Sequence, residues 1–151
     1  MARLLVVHHT ASPTLDTMLE AVLAGARDDE VVGVEVEVRA ALAATPSDLL
    51  SADAVILGTP ANMGYMSGAL KVFFDSCYYP CLHDTVGLPY GLYVHGNDDV
   101  AGAVRSVEKL AGGLRWTSAA EVVTVVGPLG SADRERLRDL GGVLAASVME
   151  D

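Results

Sequence analysis

Arg3–His8 (RLLVVH) is an unbroken run of apolar and β-branched residues, the pattern of a strand buried on both faces of a parallel sheet. A turn-rich stretch, Thr10–Pro13, follows, and the period of the apolar positions then changes. Leu15, Met18, Leu19, Val22, Leu23 and Ala26 recur at the spacing of one helix face, with Ser12 or Thr14 as N-cap and Asp28-Asp29-Glu30 as the stop. Val31–Val38 (VVGVEVEV) alternates, placing Glu35 and Glu37 on an outer face, and predicts an edge strand. Pro46-Ser47-Asp48 predicts the start of a short helix, and Ala54–Gly58 (AVILG) a central strand. Ser67 is placed to cap a helix buried through Leu70, Phe73, Phe74 and Cys77. Tyr90–His95 predicts a fourth strand, followed by a helix from Asp98 or Asp99 that buries Val100, Val104, Val107 and Ala111. Glu121–Val126 predicts a fifth strand, with Trp116 packing beside it, and Ser131–Val148 a last helix buried through Leu137, Leu140, Leu144 and Val148.

Five strands alternating with helices predict an α/β protein with a parallel sheet and right-handed crossovers. No repeat, low-complexity tract or linker interrupts the 151 residues, so a single domain over 1–151 is expected. In such sheets ligands bind beyond the carboxyl ends of the strands. That rule singles out three loops: Thr10–Leu15, Thr59–Ser67 and His95–Asp99.

Charge narrows the partners. Ten basic residues against twenty acidic give a formal net charge of −10, which repels both a phosphate backbone and an anionic bilayer surface. The apolar runs are far short of the ~20 residues that span a bilayer, and no leader-like apolar segment follows Met1, so a cytoplasmic protein is expected. A basic protein or a neutral planar ligand is compatible with the charge; acidity serving solubility alone is the plainer account.

The first loop, His9-Thr10-Ala11-Ser12-Pro13-Thr14, carries three hydroxyls into a helix N-terminus and has no Lys or Arg. Hydroxyls and backbone amides at the positive end of a helix suit a phosphate monoester; the alternative is an ordinary capped turn. The sequence is neither the G-x-x-x-x-G-K-[ST] nor the G-x-G-x-x-G phosphate signature. In the second loop, Gly58–Gly68 (GTPANMGYMSG), Pro60 fixes a turn and Gly64 has access to positive φ. Asn62 and Met63 add an amide and a soft apolar contact, the composition of a backbone wall along a flat ring, or simply of a structural loop.

Gly58–Asp75 (GTPANMGYMSGALKVFFD) resembles the second flavin loop and following helix of the flavodoxin-like flavoproteins: short flavodoxins, NADPH-dependent FMN reductases and tryptophan-repressor-binding-protein-type quinone reductases. Thr10 falls on a phosphate-binding Ser, and Asp16-Thr17-Met18 on a family Glu-Thr-Met. V-x-x-L-x-x-G-L at 107–114 and the terminal LGGVLA are also similar to short flavodoxins. The resemblance implies a three-layer α/β/α sandwich with a five-stranded parallel sheet in the order 2-1-3-4-5, and FMN as cofactor. Thr10, Ala11, Ser12, Pro13, Thr14 and Leu15 would then hold the phosphate, and Pro60, Ala61, Asn62, Met63 and Gly64 would line the isoalloxazine. His95, Gly96, Asn97 and Asp98 would form the third wall. In the family a peptide of the second loop flips to meet the reduced ring, which directs attention to Gly64 or a neighbour. Pro13 stands where the family's phosphate loop has Gly, Leu15 where it has Thr, and no aromatic occupies the ring-stacking positions.

Three functions follow from that resemblance. An electron carrier would meet a redox partner protein across an acidic face; an NAD(P)H-dependent FMN or quinone reductase would add a dinucleotide pocket; an interaction domain would have lost the flavin. In the first two the protein orients the cofactor and sets its electrostatics. Should a homodimer form, Tyr65–Leu82 is the expected contact. Cys77 and Cys81 share a face on a continuous helix, but Pro80 is expected to break it, and two buried thiols are expected rather than a redox pair or a zinc site. His8 and His9 are expected to fill a strand end.

Overall fold

A computed structural model describes residues 1–149. In chain order the elements are β1 (Ala2–His8), α1 (Pro13–Ala26), β2 (Val34–Ala40), α2 (Pro46–Leu50), β3 (Ala54–Asn62) and β4 (Tyr65–Met66). They continue with α3 (Gly68–Cys81), β5 (Pro89–Gly96), α4 (Val100–Gly113), β6 (Thr117–Ser118), β7 (Val123–Val126) and α5 (Ser131–Val148). The sheet runs β2-β1-β3-β5-β6, with β7 also on β5, and these pairs are parallel. This is the flavodoxin-like order 2-1-3-4-5 with two modifications.

The first is a divided last strand. Thr117–Ser118 pairs with Pro89–Tyr90, while Val123–Val126 pairs with Tyr93–Gly96. Two more residues separate the partners on the last strand than on β5, so the ladder is interrupted between Ser118 and Val123 instead of running evenly from Glu121. The second is the third strand, which continues four residues past Gly58 and folds back as β4. Pro60 is therefore a strand residue opposite His95, and the expected turn at Pro60 is not formed. A proline is tolerated there because β1 pairs with β3 only as far as Gly58, leaving no ladder partner on that side for the missing N–H.

Two apolar layers hold the sandwich. Leu4, Val6, Ile56 and Tyr93 face α1 and α5, while Leu5, Val7, Val55, Leu57, Leu92 and Val94 face α2, α3 and α4. The expected helix faces are mostly the buried ones, but α4 buries Ala103, Ser106, Val107 and Ala111 while Val100 and Val104 are only half-buried. Likewise Leu23 and Val148 lie at the margins of their faces. The edge strand begins at Val34, three residues later than the alternation predicts, because Gly33 takes φ +77° and turns the chain into register with Ala2. Glu35 and Glu37 pair with Arg3 at 3.8 and 3.7 Å, exposed contacts of small energetic weight.

Helix ends are capped as their sequences require. Ser12 Oγ accepts from Leu15 N, Ser67 Oγ from Leu70 N and Asp99 Oδ1 from Gly102 N, at 3.2, 3.2 and 3.0 Å. Pro80 lies inside the last turn of α3 and does not break it, so Cys77 and Cys81 are stacked on one buried helix face. The proline removes one hydrogen bond in the last turn, at an exposed position of the helix end. Trp116 is buried with its indole N–H donating to Thr85 Oγ1 at 3.0 Å. Among the described residues no helix is long and apolar enough to cross a membrane.

Candidate functional site

Parallel strands followed by helices bring the three singled-out segments to the carboxyl edge of β1, β3 and β5, the three adjacent central strands. The first joins β1 to α1. His9 N donates to Gly58 O at 3.0 Å, fixing the loop against β3. Thr10 shares a hydrogen bond of 2.7 Å between its Oγ1 and His8 Nδ1. Ser12 acts as the N-cap, which engages the Leu15 amide, and the Leu15 side chain is in the core. Pro13, the first helical residue, has no amide hydrogen to offer. Among the described residues no partner serves the amides of Thr10, Ala11, Ser12 and Thr14.

The second segment is a hairpin and not an open loop. Ala61 and Asn62 pair with Met66 and Tyr65, and Met63-Gly64 forms the two-residue tip with φ +50° and +73°. Positive φ at both tip residues marks a type I′ turn, whose twist matches that of the paired strands. Thr59 braces its base: its Oγ1 donates to Pro60 O at 2.8 Å and accepts from Ser67 N at 3.0 Å. Met66 N donates to Ser106 Oγ of α4 at 3.0 Å. Asn62 is exposed, Ala61 and Gly64 are half-buried, and the Met63 side chain stands entirely in solvent.

The third segment leaves β5 at Gly96 and enters α4 through Asp99, which adopts φ +44°. His95 is turned to the last strand, donating from Nε2 to Gly127 O at 2.8 Å, which fixes its tautomer. Gly96 is buried, and a Cβ there would meet Ala61 at 2.9 Å and Val100 at 3.1 Å. Asn97, Asp98 and Asp99 are exposed. The hairpin tip and this segment touch directly: a Cβ on Gly64 would lie 2.4 Å from Asp99 Oδ2.

The first segment's chemistry fits a phosphate ester. Four backbone donors without partners among the described residues lie in the segment that leads into the N-terminus of α1, which also carries the hydroxyls of Thr10, Ser12 and Thr14 and no cation. His9 Nδ1, in the same stretch, is buried with no hydrogen-bond partner among the described residues. Unpaired polar groups in this number are what an acceptor-rich ligand satisfies. The hairpin and the β5–α4 segment add apolar and backbone surface but no aromatic wall. Among the described residues no cluster suits a metal ion, and both cysteines are free and buried.

The sequence reading missed the roles of His8 and Asp99. A histidine at a strand end carries no periodic signal, and its bond to Thr10 exists only once the loop is folded. Asp99 was legible as a helix start, but its service to the hairpin depends on a contact between distant segments.

The fold is that of the flavodoxin-like flavoproteins. Residues 17–128 match the family described as NADPH-dependent FMN reductase, and the chain belongs to that family. A flavodoxin of Aquifex aeolicus is 40% identical over 75 residues, half of this chain and 40% of that protein. This chain's match thus spans less than half the length of that relative. Among solved structures, a flavodoxin, WrbA-like protein from Agrobacterium tumefaciens superposes with a TM-score of 0.79 at 23% identity, covering 98% of each chain. A Streptococcus pneumonia flavodoxin superposes at 0.81 and 24% identity, covering 97% of this chain and all of that one. These two likenesses establish the fold.

Proposed function

We propose that the chain binds FMN at the carboxyl edge of β1, β3 and β5 and serves as an electron-transfer flavoprotein. The observation that carries this reading is the β1–α1 segment, where four unpartnered amides and three hydroxyls occur together at the entry to a helix N-terminus. Thr10, Ala11, Ser12 and Thr14 would hold the phosphate. Pro60–Gly64 and His95–Asp98 would flank the ring, with Leu15 and Pro13 shaping the first turn rather than donating to the ligand. The bound flavin supplies one- and two-electron redox chemistry; the protein orients it and sets its charge environment. Asp16, Asp98 and Asp99 border the site and disfavour additional negative charge there.

With a net charge of −10, the fitting redox partner presents a basic face, and the cytoplasm is the expected compartment. The family match favours a second reading, an NADPH-dependent FMN or quinone reductase. A homodimer, in either reading, would use Tyr65–Leu82, where Tyr65, Val72 and Tyr79 are exposed.

The deciding experiment is the visible absorption spectrum of the purified protein, followed by FMN titration read as flavin fluorescence quenching. Saturable one-to-one quenching is expected, weakened about tenfold or more by combining Thr10→Ala with Ser12→Ala. No quenching at high micromolar FMN overturns the flavin reading and leaves an interaction domain of the same fold. Consumption of NADPH with a quinone acceptor separates reductase from carrier.

A further inference from the structure

Thr10–Leu15 contains no Lys or Arg, and the next residue is Asp16. A phosphate monoester is nevertheless a dianion above its second pKa of about 6. In sequence, the nearest groups able to acquire positive charge are the two histidines that end β1 and open the loop. His8 is half-buried and lies 2.7 Å from Thr10 through its Nδ1.

That contact controls a single hydrogen. The Thr10 hydroxyl has one proton to donate. With a bare Nδ1, the hydroxyl donates to His8 and turns its lone pairs outward, where they repel an anion. With a protonated Nδ1, His8 donates to Oγ1 and the hydroxyl hydrogen is released for a ligand. An imidazolium ensures the second state and adds a full charge behind the donor.

The surroundings disfavour the charged form of His8 when the loop is alone. Its level on β2 is Ala40 and on β3 Gly58, neither of which titrates. Tyr93 of β5 packs against Gly58, and its burial pushes the phenol far up, so it stays neutral. His9 is the neighbour on its own strand and Asp16 the charge on α1. Burial first, and His9 second, lower the His8 pKa, while Asp16 raises it.

We infer that His8 is the proton switch of this loop: occupation by a phosphate monoester dianion draws one proton onto His8, which then donates through Nδ1 to Thr10 while Thr10 donates to the phosphate. The inference rests on the FMN reading and assigns the pH dependence to the phosphate, not the ring. Proton uptake of one per ligand makes affinity fall with rising pH, by a limiting factor of about ten per unit.

The test is fluorescence-quenching titration of the full chain with FMN and with riboflavin from pH 6.5 to 8.5. Proton uptake is measured calorimetrically in two buffers of different ionisation enthalpy. His8→Asn keeps a non-titrating donor near the Nδ1 position; His8→Leu removes it. In the wild type the FMN-to-riboflavin affinity ratio is expected to fall about a hundredfold across the two units, with about one proton taken up per FMN. In His8→Asn the ratio is expected to be flat, and in His8→Leu flat and lower. A flat ratio in the wild type, or an undiminished fall in His8→Asn, overturns the switch while FMN binding stands. Absence of binding by either flavin at every pH overturns the flavin reading as well.

Discussion

Gly64 and Asp99 meet closely: a Cβ on Gly64 would lie 2.4 Å from Asp99 Oδ2, so a larger residue there must push the Asp99 carboxylate aside. The contact is reciprocal through the helix that Asp99 caps. Asp99 Oδ1 accepts from Gly102 N at 3.0 Å, and a Cβ on Gly102 would lie 2.2 Å from Gly64 O. The hairpin tip is thus docked on the first turn of α4, and two of the three segments of the site form one unit. Gly64→Ala combines positive-φ strain with displacement of the cap, each about 1 kcal/mol. A loss of about 2 kcal/mol in urea denaturation is expected, with FMN and riboflavin affinities falling together. Stability within ~0.5 kcal/mol of wild type, the range of an ordinary surface change, would contradict the docking.

The α1–α5 crossing gives a second test, away from the site. A Cβ on Gly25 would lie 1.9 Å from Arg138 O, and one on Gly141 2.0 Å from Val22 O. Both clashes are with helix backbone, which yields little. Gly141→Ala should therefore cost about 1–3 kcal/mol or more through overpacking. Gly142→Ala is the control: its nearest contact is Gly25 O at 3.6 Å, ordinary packing. There the gain in helix propensity should dominate, leaving stability unchanged or raised by up to about 1 kcal/mol. Thermal unfolding of the two variants side by side decides it; similar effects would refute the close crossing.

Most strands and helix faces were legible because period and burial agree along them, as in Arg3–His8 and Ser131–Val148, whereas the strand order followed from the family resemblance. The cap Ser67 was legible for the same local reason, while Ser12 and Asp99 were each one of two candidates, beside Thr14 and Asp98. What escaped was set by neighbours distant in sequence. Pro60 reads as a turn residue in isolation, yet it lies in a strand because β1 stops short of it. Pro80 reads as a helix breaker, yet α3 passes through it once Cys77 and Cys81 are buried on its core side. The first loop was singled out from its hydroxyl content, but the roles its residues take were not legible: Ser12 caps, Leu15 packs, and Thr10 hydrogen-bonds His8.

Those cysteines should be inert in the native protein. Desolvation raises both thiols, pushing Cys77 up to about 11. A raised thiol pKa means less thiolate at a given pH, so for Cys77 about one part in a thousand is ionised at pH 8. Ellman's reagent at that pH should find neither thiol on the timescale of minutes and both in denaturant. Native reactivity matching the denatured rate would show that α3 opens or that the thiols are exposed.

Met63 combines two features that stability alone does not select. It holds φ +50° without being Gly, Asn or Asp, and its side chain is 102% exposed. Left-handed backbone costs an ordinary residue about 1–2 kcal/mol, and an apolar side chain in open solvent recovers none of it. Met63→Asn would create Asn-Gly, the preferred type I′ pair. Stability should therefore rise by up to about 1 kcal/mol. If the methionine is retained as a flexible cover for a flat ligand, the same change weakens FMN and riboflavin equally, since both share the ring. Calorimetric melting and parallel flavin titrations separate the two effects. A more stable variant with undiminished binding of both flavins would leave the strain at Met63 without a functional account.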